Sequence, residues 1–355
     1  MELSELELIE KIKRWVGQKY RGVVVSPGDD AAAFRTQPGL LTLVTSDTLI
    51  EGIHFNLDYI SFYQLGWKAM AVNLSDIAAM GGKPHYALVS LSIPDRISSA
   101  DIEELYRGME DLNKRFDVKI VGGDVTGSKN DFVLCVTITG GAEEAKLSTR
   151  SGAVTGDIIG VTGSLGGSKA GQMLLESKQV RGRTSKKYRT SNDECRTGDG
   201  DNRENLIQKY LMPFPRNEEA SLLVENFKIH AMIDISDGLA SEVNHLCSES
   251  GTGAEVYAGA IPLMNGVEQT ARKFSNTPLD YALSGGEDYE LLFAMNEKDF
   301  AKAGKLVFDK TGIALTQTGK MVPKEKGVRL LVGTKHVPLT QKGFDHFRKG
   351  NSLEK

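Results

Sequence analysis

Five short segments of this chain set an aspartate among glycine, serine or apolar residues, and together they restrict what it can fold into. They are Gly28-Asp29-Asp30-Ala31-Ala32, Thr45-Ser46-Asp47, Asn73-Leu74-Ser75-Asp76, Gly122-Gly123-Asp124 and Asp234-Ile235-Ser236-Asp237-Gly238. In four of them the acid stands at or just past the end of an apolar strand or turn. Taken singly, each reads as a turn or helix cap, because Asp, Ser and Gly satisfy local backbone groups. Asp76 resists that reading. It lies inside the run Ala69–Met80, where nearly every neighbour is apolar and helix-forming. Asn73 and Asp76, at i and i+3, share one face of that helix. A carboxylate buried there is costly unless it is paired or metal-bound. Lys68, two turns earlier, is the candidate partner in a purely structural reading.

Strands and helices alternate around these segments. Apolar spacing predicts a helix over 5–16. Strands are expected at Leu40–Thr45, Tyr86–Ile93, Lys119–Val121 and Phe132–Thr139. Ser61 caps a helix running to Met80, where Gly81-Gly82 stops it, and a second begins at Ser98 or Ser99. A new unit opens with a strand at Asp157–Thr162, a turn at Gly163–Gly167 and a helix near 168–177. It continues with a strand at Ala231–Ile235, a helix from Leu239 to about Cys247 and a strand at Tyr289–Ala294. The 355 residues fit two α/β domains, divided as 1–148 and 149–349. Residues 181–205 carry seven Lys/Arg, five Asp/Glu and almost no large apolar side chain. Such a segment buries too little to offset its ordering entropy and reads as a mobile surface insertion.

Composition narrows the function classes. A net charge of −4 implies no basic face for nucleic acid. No stretch approaches the roughly 20 apolar residues that span a bilayer. The acidic, amphipathic start, Met1 to Val16, is unlike a secretory signal. Cys135, Cys195 and Cys247 stand far apart, so neither a disulfide framework nor a zinc ribbon is expected, and a cytoplasmic setting is. Several buried aspartates with few cations nearby suit a divalent metal, and oxygen-only ligation favours Mg²⁺ (or Mn²⁺, Ca²⁺) over Zn²⁺. Glycine-flanked acids holding Mg²⁺ point to a polyphosphate, whose oxygens backbone N–H groups can approach closely. There is no GxxxxGK[ST] loop and no protein-kinase motif set. Arg150 is a candidate phosphate cation.

These residues, with Thr45-Ser-Asp-Thr-Leu-Ile-Glu-Gly-Ile-His-Phe55, Gly122-Gly-Asp-Val-Thr126 and Ser284-Gly-Gly-Glu-Asp-Tyr-Glu-Leu-Leu-Phe293, resemble the thiamine-monophosphate kinase family. The matches fall in the family's order and span nearly the whole chain. GDDAA, NxSD and DxSDG are shared with the wider aminoimidazole ribonucleotide synthetase superfamily, while SDTLIEGIHF and SGGEDYELLF are more particular to the thiamine-monophosphate member. The resemblance implies an N-terminal α/β domain whose strands join those of a second subunit in a β-barrel, with a C-terminal α/β domain packed against it. It implies transfer of the γ-phosphate of ATP to thiamine monophosphate, direct and in line, with several Mg²⁺ ions and no phosphoenzyme. Carried across, Asp30, Asp47, Asp76, Asp124 and Asp234 resemble Mg²⁺ ligands, with Thr45, Ser46 and Asp237 completing the metal shells. Gly123, Asp124, Arg150, Ser236 and Tyr106 resemble ATP contacts. His54 and Glu287 resemble substrate contacts, and Phe344, in Gly343-Phe-Asp-His-Phe347, is placed against the thiamine rings. A homodimer follows from the same resemblance.

Two features depart from the family pattern. The segment 181–205 is long, and Gly163-Ser-Leu-Gly-Gly-Ser-Lys169 lacks an acid after Leu165-Gly166. Among sibling enzymes, selenophosphate synthetase needs a reactive cysteine near its N-terminus, whereas the first cysteine here is Cys135. The strings around His54 and Glu287 speak against aminoimidazole ribonucleotide synthetase itself. The intact acid set speaks against a non-catalytic Mg²⁺ or nucleotide sensor.

Overall fold

The structure, a computed structural model, describes residues 23–25, 31–177 and 202–340. The expected helix over 5–16, the segment Gly28–Asp30, most of the expected insertion 181–205, and Phe344 lie outside the described residues. The last four residues of that expected insertion, 202–205, begin a helix (Asn202–Leu211).

Two sheets organise the chain. The first contains β1 (Val23–Val25), β2 (Ala32–Gln37), β3 (Leu40–Ile50), β4 (Lys83–Pro94), β5 (Lys119–Ser128) and β6 (Val133–Glu143), in the order β1-β2-β3-β6-β4-β5. Neighbours are antiparallel except β4 and β5, which run parallel. The second sheet contains β7 (Ile158–Thr162), β8 (Ile229–Asp234), β9 (Gly253–Tyr257), β10 (Leu291–Met295), β11 (Leu315–Val322), β12 (Val328–Val332) and β13 (Lys335–Pro338). Its order is β13-β12-β9-β11-β7-β10-β8.

Helix α1 (Phe62–Ala79) is the element on which the rest is arranged. A reciprocal capping box starts it: Ser61 accepts from the Gln64 amide, and Gln64 accepts from the Ser61 amide. Fifteen of its eighteen residues are buried. A helix apolar on all sides belongs inside a core. Helix α2 (Ser99–Phe116) crosses it where Gly66 meets Gly108. A Cβ on Gly66 would fall 1.9 Å from the Leu105 carbonyl oxygen, and one on Gly108 would fall 1.9 Å from that of Tyr63. The two backbones therefore touch. At its C-terminal end, Ala78 and Ala79 pack with Ile158, Met232 and Phe293 of the second sheet. The Trp67 indole donates to the Pro213 carbonyl at 2.8 Å.

Five helices of the second domain bear on the site: α3 (Gly167–Glu176), α4 (Asn202–Leu211), α5 (Asn217–Asn226), α6 (Leu239–Ser250) and α8 (Pro278–Ser284), with α7 (Val267–Lys273) between the last two. Two strands run further than the sequence suggests. β3 continues through Asp47 to Ile50, because Thr48, Leu49 and Ile50 pair with Cys135, Leu134 and Val133. β5 does not break at Gly122-Gly123 but continues to Ser128. Gly123 lies beside Val89 in the parallel ladder, where a Cβ would fall 1.8 Å from the Val89 carbonyl oxygen. Glycine there permits the pairing instead of ending the strand.

Candidate active site

Where the two domains meet, α1, β3, the end of β8 and the loop between α8 and β10 bring carboxylates together. The Thr45 hydroxyl, on β3, donates to the Asp76 carboxylate on α1. The Ser75 hydroxyl donates to Asp234, the last residue of β8, at 2.6 Å, and both are buried. The loop 284–290 lies directly on the Asp234–Gly238 turn. The amide of Glu287 donates to the Ser236 carbonyl at 2.6 Å, that of Tyr289 to Ile235 at 2.9 Å, and that of Ile235 to Glu290 at 2.7 Å. Glu287 and Tyr289 adopt φ of 58° and 48°. That left-handed conformation is costly for a bulky residue and persists only where surroundings over-determine it.

Tyr289 reports the convergence. Its phenol is held well above the ordinary tyrosine range, first by burial and then by the charges of Glu287, Asp47, Asp234 and Asp76. Four acids from four separate segments therefore lie close enough to act on one phenol. Asp234 extends the group on its other side. There the wholly buried Glu242 of α6 is pushed well above the usual carboxylate range by burial, then by Asp237 and Asp234, with Arg150 opposing. Glu242 also accepts the Asp237 amide at 3.1 Å.

Lys68 is entirely buried on α1. Its ammonium lies 2.8 Å from Glu287 Oε1 and 3.9 Å from the centre of the Tyr210 ring. Asn73, wholly buried, donates back to the Ala69 carbonyl at 3.1 Å.

Other expected site residues stand apart from these acids. Ser46 points to the opposite face of β3 from Thr45, where its hydroxyl lies 2.8 Å from that of Thr137. Asp124 is exposed on edge strand β5 beside Ser90. Three strand spacings of about 4.8 Å separate β5 from β3, which puts Asp124 on the order of 14 Å from Asp47. Tyr106 is half-buried on α2, and its phenol is raised by burial with no contribution from a carboxylate. His54 lies in the turn after β3, where its Nδ1 accepts the Ile50 amide at 3.0 Å. That bond leaves the proton of the neutral ring on Nε2. Asp30 and Phe344 lie outside the described residues.

Sequence reasoning passed over Glu242, Tyr210 and Tyr289. Glu242 had a usable signal: it stands with Leu239, Val243 and Leu246 at i, i+3, i+4 and i+7, an acid inside an apolar stripe.

A second polar centre adjoins the site. Glu290, wholly buried, accepts from Thr162 Oγ1 at 2.8 Å, Lys209 at 2.6 Å and Arg216 at 2.7 Å. Asp288 accepts the amides of Gly166 at 2.6 Å and Ser168 at 3.1 Å, at the start of α3. The Gly163–Lys169 turn has no acid of its own, yet a carboxylate caps it from across the domain.

Among the described residues, no group of three His, Cys, Asp or Glu is arranged to hold a metal ion unaided. Asp47, Asp76 and Asp234 offer oxygen donors alone. Such a set suits a hard ion that takes one or two carboxylates and keeps water and phosphate oxygens for the rest of its shell.

Comparison with known proteins agrees with this architecture. The AIR synthase related protein N-terminal domain matches residues 28–142, and the corresponding C-terminal domain matches 154–331. The thiamine-monophosphate kinase of Bacillus subtilis is 32% identical over 98% of this chain and 100% of its own length. That of Escherichia coli K12 is 31% identical over 98% of this chain and 99% of its own. The solved structure of AaThiL complexed with AMPPCP and TMP superposes with a TM-score of 0.80 at 32% identity, covering 98% of each chain. Hydrogenase maturation protein HypE shares the fold at 18% identity, with a TM-score of 0.66 over 90% of this chain and 94% of its own. With two domain matches and full-length relatives above 30% identity, the chain belongs to the thiamine-monophosphate kinase family, within the AIR synthase-related group.

Proposed function

We propose that the chain phosphorylates thiamine monophosphate with ATP, giving thiamine diphosphate and ADP, the last step of thiamine diphosphate biosynthesis. The observation that carries the proposal is the convergence of Asp76, held by Thr45 of β3, and Asp234, held by Ser75 of α1, where the two domains meet in a full-length relative of these kinases. A phosphate oxygen of thiamine monophosphate attacks the γ-phosphorus of ATP. The bond from that phosphorus to the β-phosphate oxygen breaks, and ADP leaves. The attacking oxygen is already ionised near neutral pH, so the barrier is charge repulsion and alignment, with no need for a strong base.

Asp47, Asp76 and Asp234, joined by Asp30 and Asp237 and by Thr45, are the residues that would hold Mg²⁺ there, while Ser46 and Asp124, which stand apart from them, are assigned to a separate ion of the several expected. When bound, the ions neutralise charge on both phosphates. The remaining roles belong to the chain itself. Thr45 and Ser75 orient two of the carboxylates by donating to them. Gly123, Asp124, Arg150, Ser236 and Tyr106 are assigned to ATP. His54, Glu287 and Phe344 are assigned to the acceptor, whose flat cationic rings suit an aromatic face worth about 0.5–2 kcal/mol.

The protein is assigned a homodimer, built on the face of the first sheet turned away from α1. Tyr86 and Leu88 are exposed there, while Ala87 and Val89 between and beside them are buried; Val121 is exposed on neighbouring β5. Exposed apolar side chains side by side on one uncovered sheet face mark a candidate interaction surface. The division of the chain is kept at 148/149, between the end of β6 and the start of β7.

The test is a turnover assay with ATP, Mg²⁺ and thiamine monophosphate, with free thiamine as control. Thiamine diphosphate formed only from the monophosphate is expected. Turnover of thiamine alone, or of neither, would overturn the assignment.

A further inference from the structure

The Lys68–Glu287 pair joins the two domains at the edge of the carboxylate group, and its environment is uneven. Lys68 has no exposed surface, whereas the Glu287 side chain is 29% exposed. The ammonium is enclosed by Glu287 Oε1 at 2.8 Å and by the face of Tyr210 at 3.9 Å. Tyr210 is itself buried, and its phenol is raised by burial, then by the charge of Glu287 and by its neighbour Tyr59. A desolvated cation over an aromatic face, with a carboxylate as its second partner, has little freedom to move. Glu287 is held by its backbone as well. Its φ is 58°, and its amide is fixed to the Ser236 carbonyl. What the backbone does not fix is the direction of a long side chain with three rotatable bonds, and Lys68 fixes that from below.

We infer that Lys68 is a positioning residue for the acceptor: it clamps the Glu287 carboxylate so that the partly exposed side of that group meets the cationic, N–H-bearing rings of thiamine monophosphate. The inference rests on the proposed function and deepens it. A carboxylate repels the acceptor's phosphate and attracts a thiazolium ring or an aminopyrimidine N–H. Lys68, fully enclosed, touches neither substrate. Its effect therefore falls on capture of the acceptor and leaves ATP and the chemical step alone.

The experiment is steady-state kinetics of Lys68→Met, Lys68→Arg, Glu287→Gln and the Lys68→Met/Glu287→Gln double variant, with each substrate varied in turn. Methionine keeps a flexible apolar stem over Tyr210 while removing the charge. Lys68→Met is expected to raise KM for thiamine monophosphate about tenfold, with kcat and KM for ATP within about twofold of wild type. If Lys68 acts through Glu287, the double variant matches Glu287→Gln within about twofold. Lys68→Arg keeps the charge on a bulkier, planar head and is expected to raise the same KM only about threefold. An unchanged KM for thiamine monophosphate, an equal rise in KM for ATP, or multiplying effects in the double variant would each overturn the inference. If Lys68→Met does not fold, Lys68→Arg decides, and a wild-type KM there refutes the clamp. Wild-type turnover with unaltered variants sinks this inference alone. Absence of wild-type turnover removes the proposed function, and the clamp with it.

Discussion

Ser75 and Asp234 meet through one buried hydrogen bond, 2.6 Å from hydroxyl to carboxylate oxygen, which ties α1 to the last residue of β8. Removing the donor leaves a desolvated oxygen short of a partner. Ser75→Ala is expected to lower unfolding stability by about 2 kcal/mol, read as a shift of the urea midpoint at constant slope. A midpoint equal to wild type would show that this contact contributes nothing net.

Asp47 and Asp76 sit among like charges, so in metal-free protein each repels the others. Asp47→Asn and Asp76→Asn are therefore expected to melt no lower than wild type without Mg²⁺. Both should lose the stabilisation that Mg²⁺ with ATP gives wild type and drop in turnover by about 10³-fold or more. Near-normal rates at saturating Mg²⁺ would remove these residues from the site.

Asp288 gives a pH prediction with a definite sign. Burial, opposed by Lys209 and two backbone amides, pushes its carboxyl up from 3.8 to about 6. The folded protein therefore binds the proton more tightly than the unfolded chain. The stability from this group is fully present below its unfolded value and is lost as pH rises through about 6. Asp288→Asn cannot ionise. Its stability relative to wild type should improve between pH 4 and pH 7 by about 2–3 kcal/mol. Parallel pH profiles for the two proteins would contradict the burial argument.

Gly123 has no room for a side chain. A Cβ there would fall 1.8 Å from the Val89 carbonyl oxygen, so Gly123→Ala must push β5 off β4. A loss of at least about 2 kcal/mol is expected, together with weakened nucleotide binding in a fluorescence titration. A stable variant with intact ATP affinity would show that the edge strand yields freely.

The uncovered face of the first sheet gives a prediction about assembly. Leu88→Glu places a charge on that face, on the side of the sheet turned away from Asp76 and Asp234. Light scattering should then find a monomer for the variant and the proposed dimer for wild type. A dimer of unchanged mass would move the interface elsewhere.

Much of this was readable from residue patterns, and the exceptions have physical causes. Ser61 and Gly81-Gly82 bracket α1 because capping and helix-stop chemistry act within a few residues. The extensions of β3 past Asp47 and β5 past Gly123 were hidden because the partner strand decides them, and local propensity does not. The acidic segments stood out individually, yet which acids meet depends on contacts across the fold. Lys68 reads as a neighbour of Asp76 along one helix, but the ion pair resolved for it is with Glu287, from the other domain. Ser46, adjacent to Thr45 and Asp47, faces the other way because strand side chains alternate.

The position of α1 between the domains has one more consequence. Lys68, Ser75 and Asp76 reach Glu287, Asp234 and Thr45 from a single rigid rod. A residue inserted between Lys68 and Ser75 would turn everything after it by about 100°. Ser75 and Asp76 would leave their partners together while Lys68 kept its own. The rotational phase of one helix thus works as a shared alignment key for both halves of the pocket, which makes its length far less free to vary than that of any surface loop.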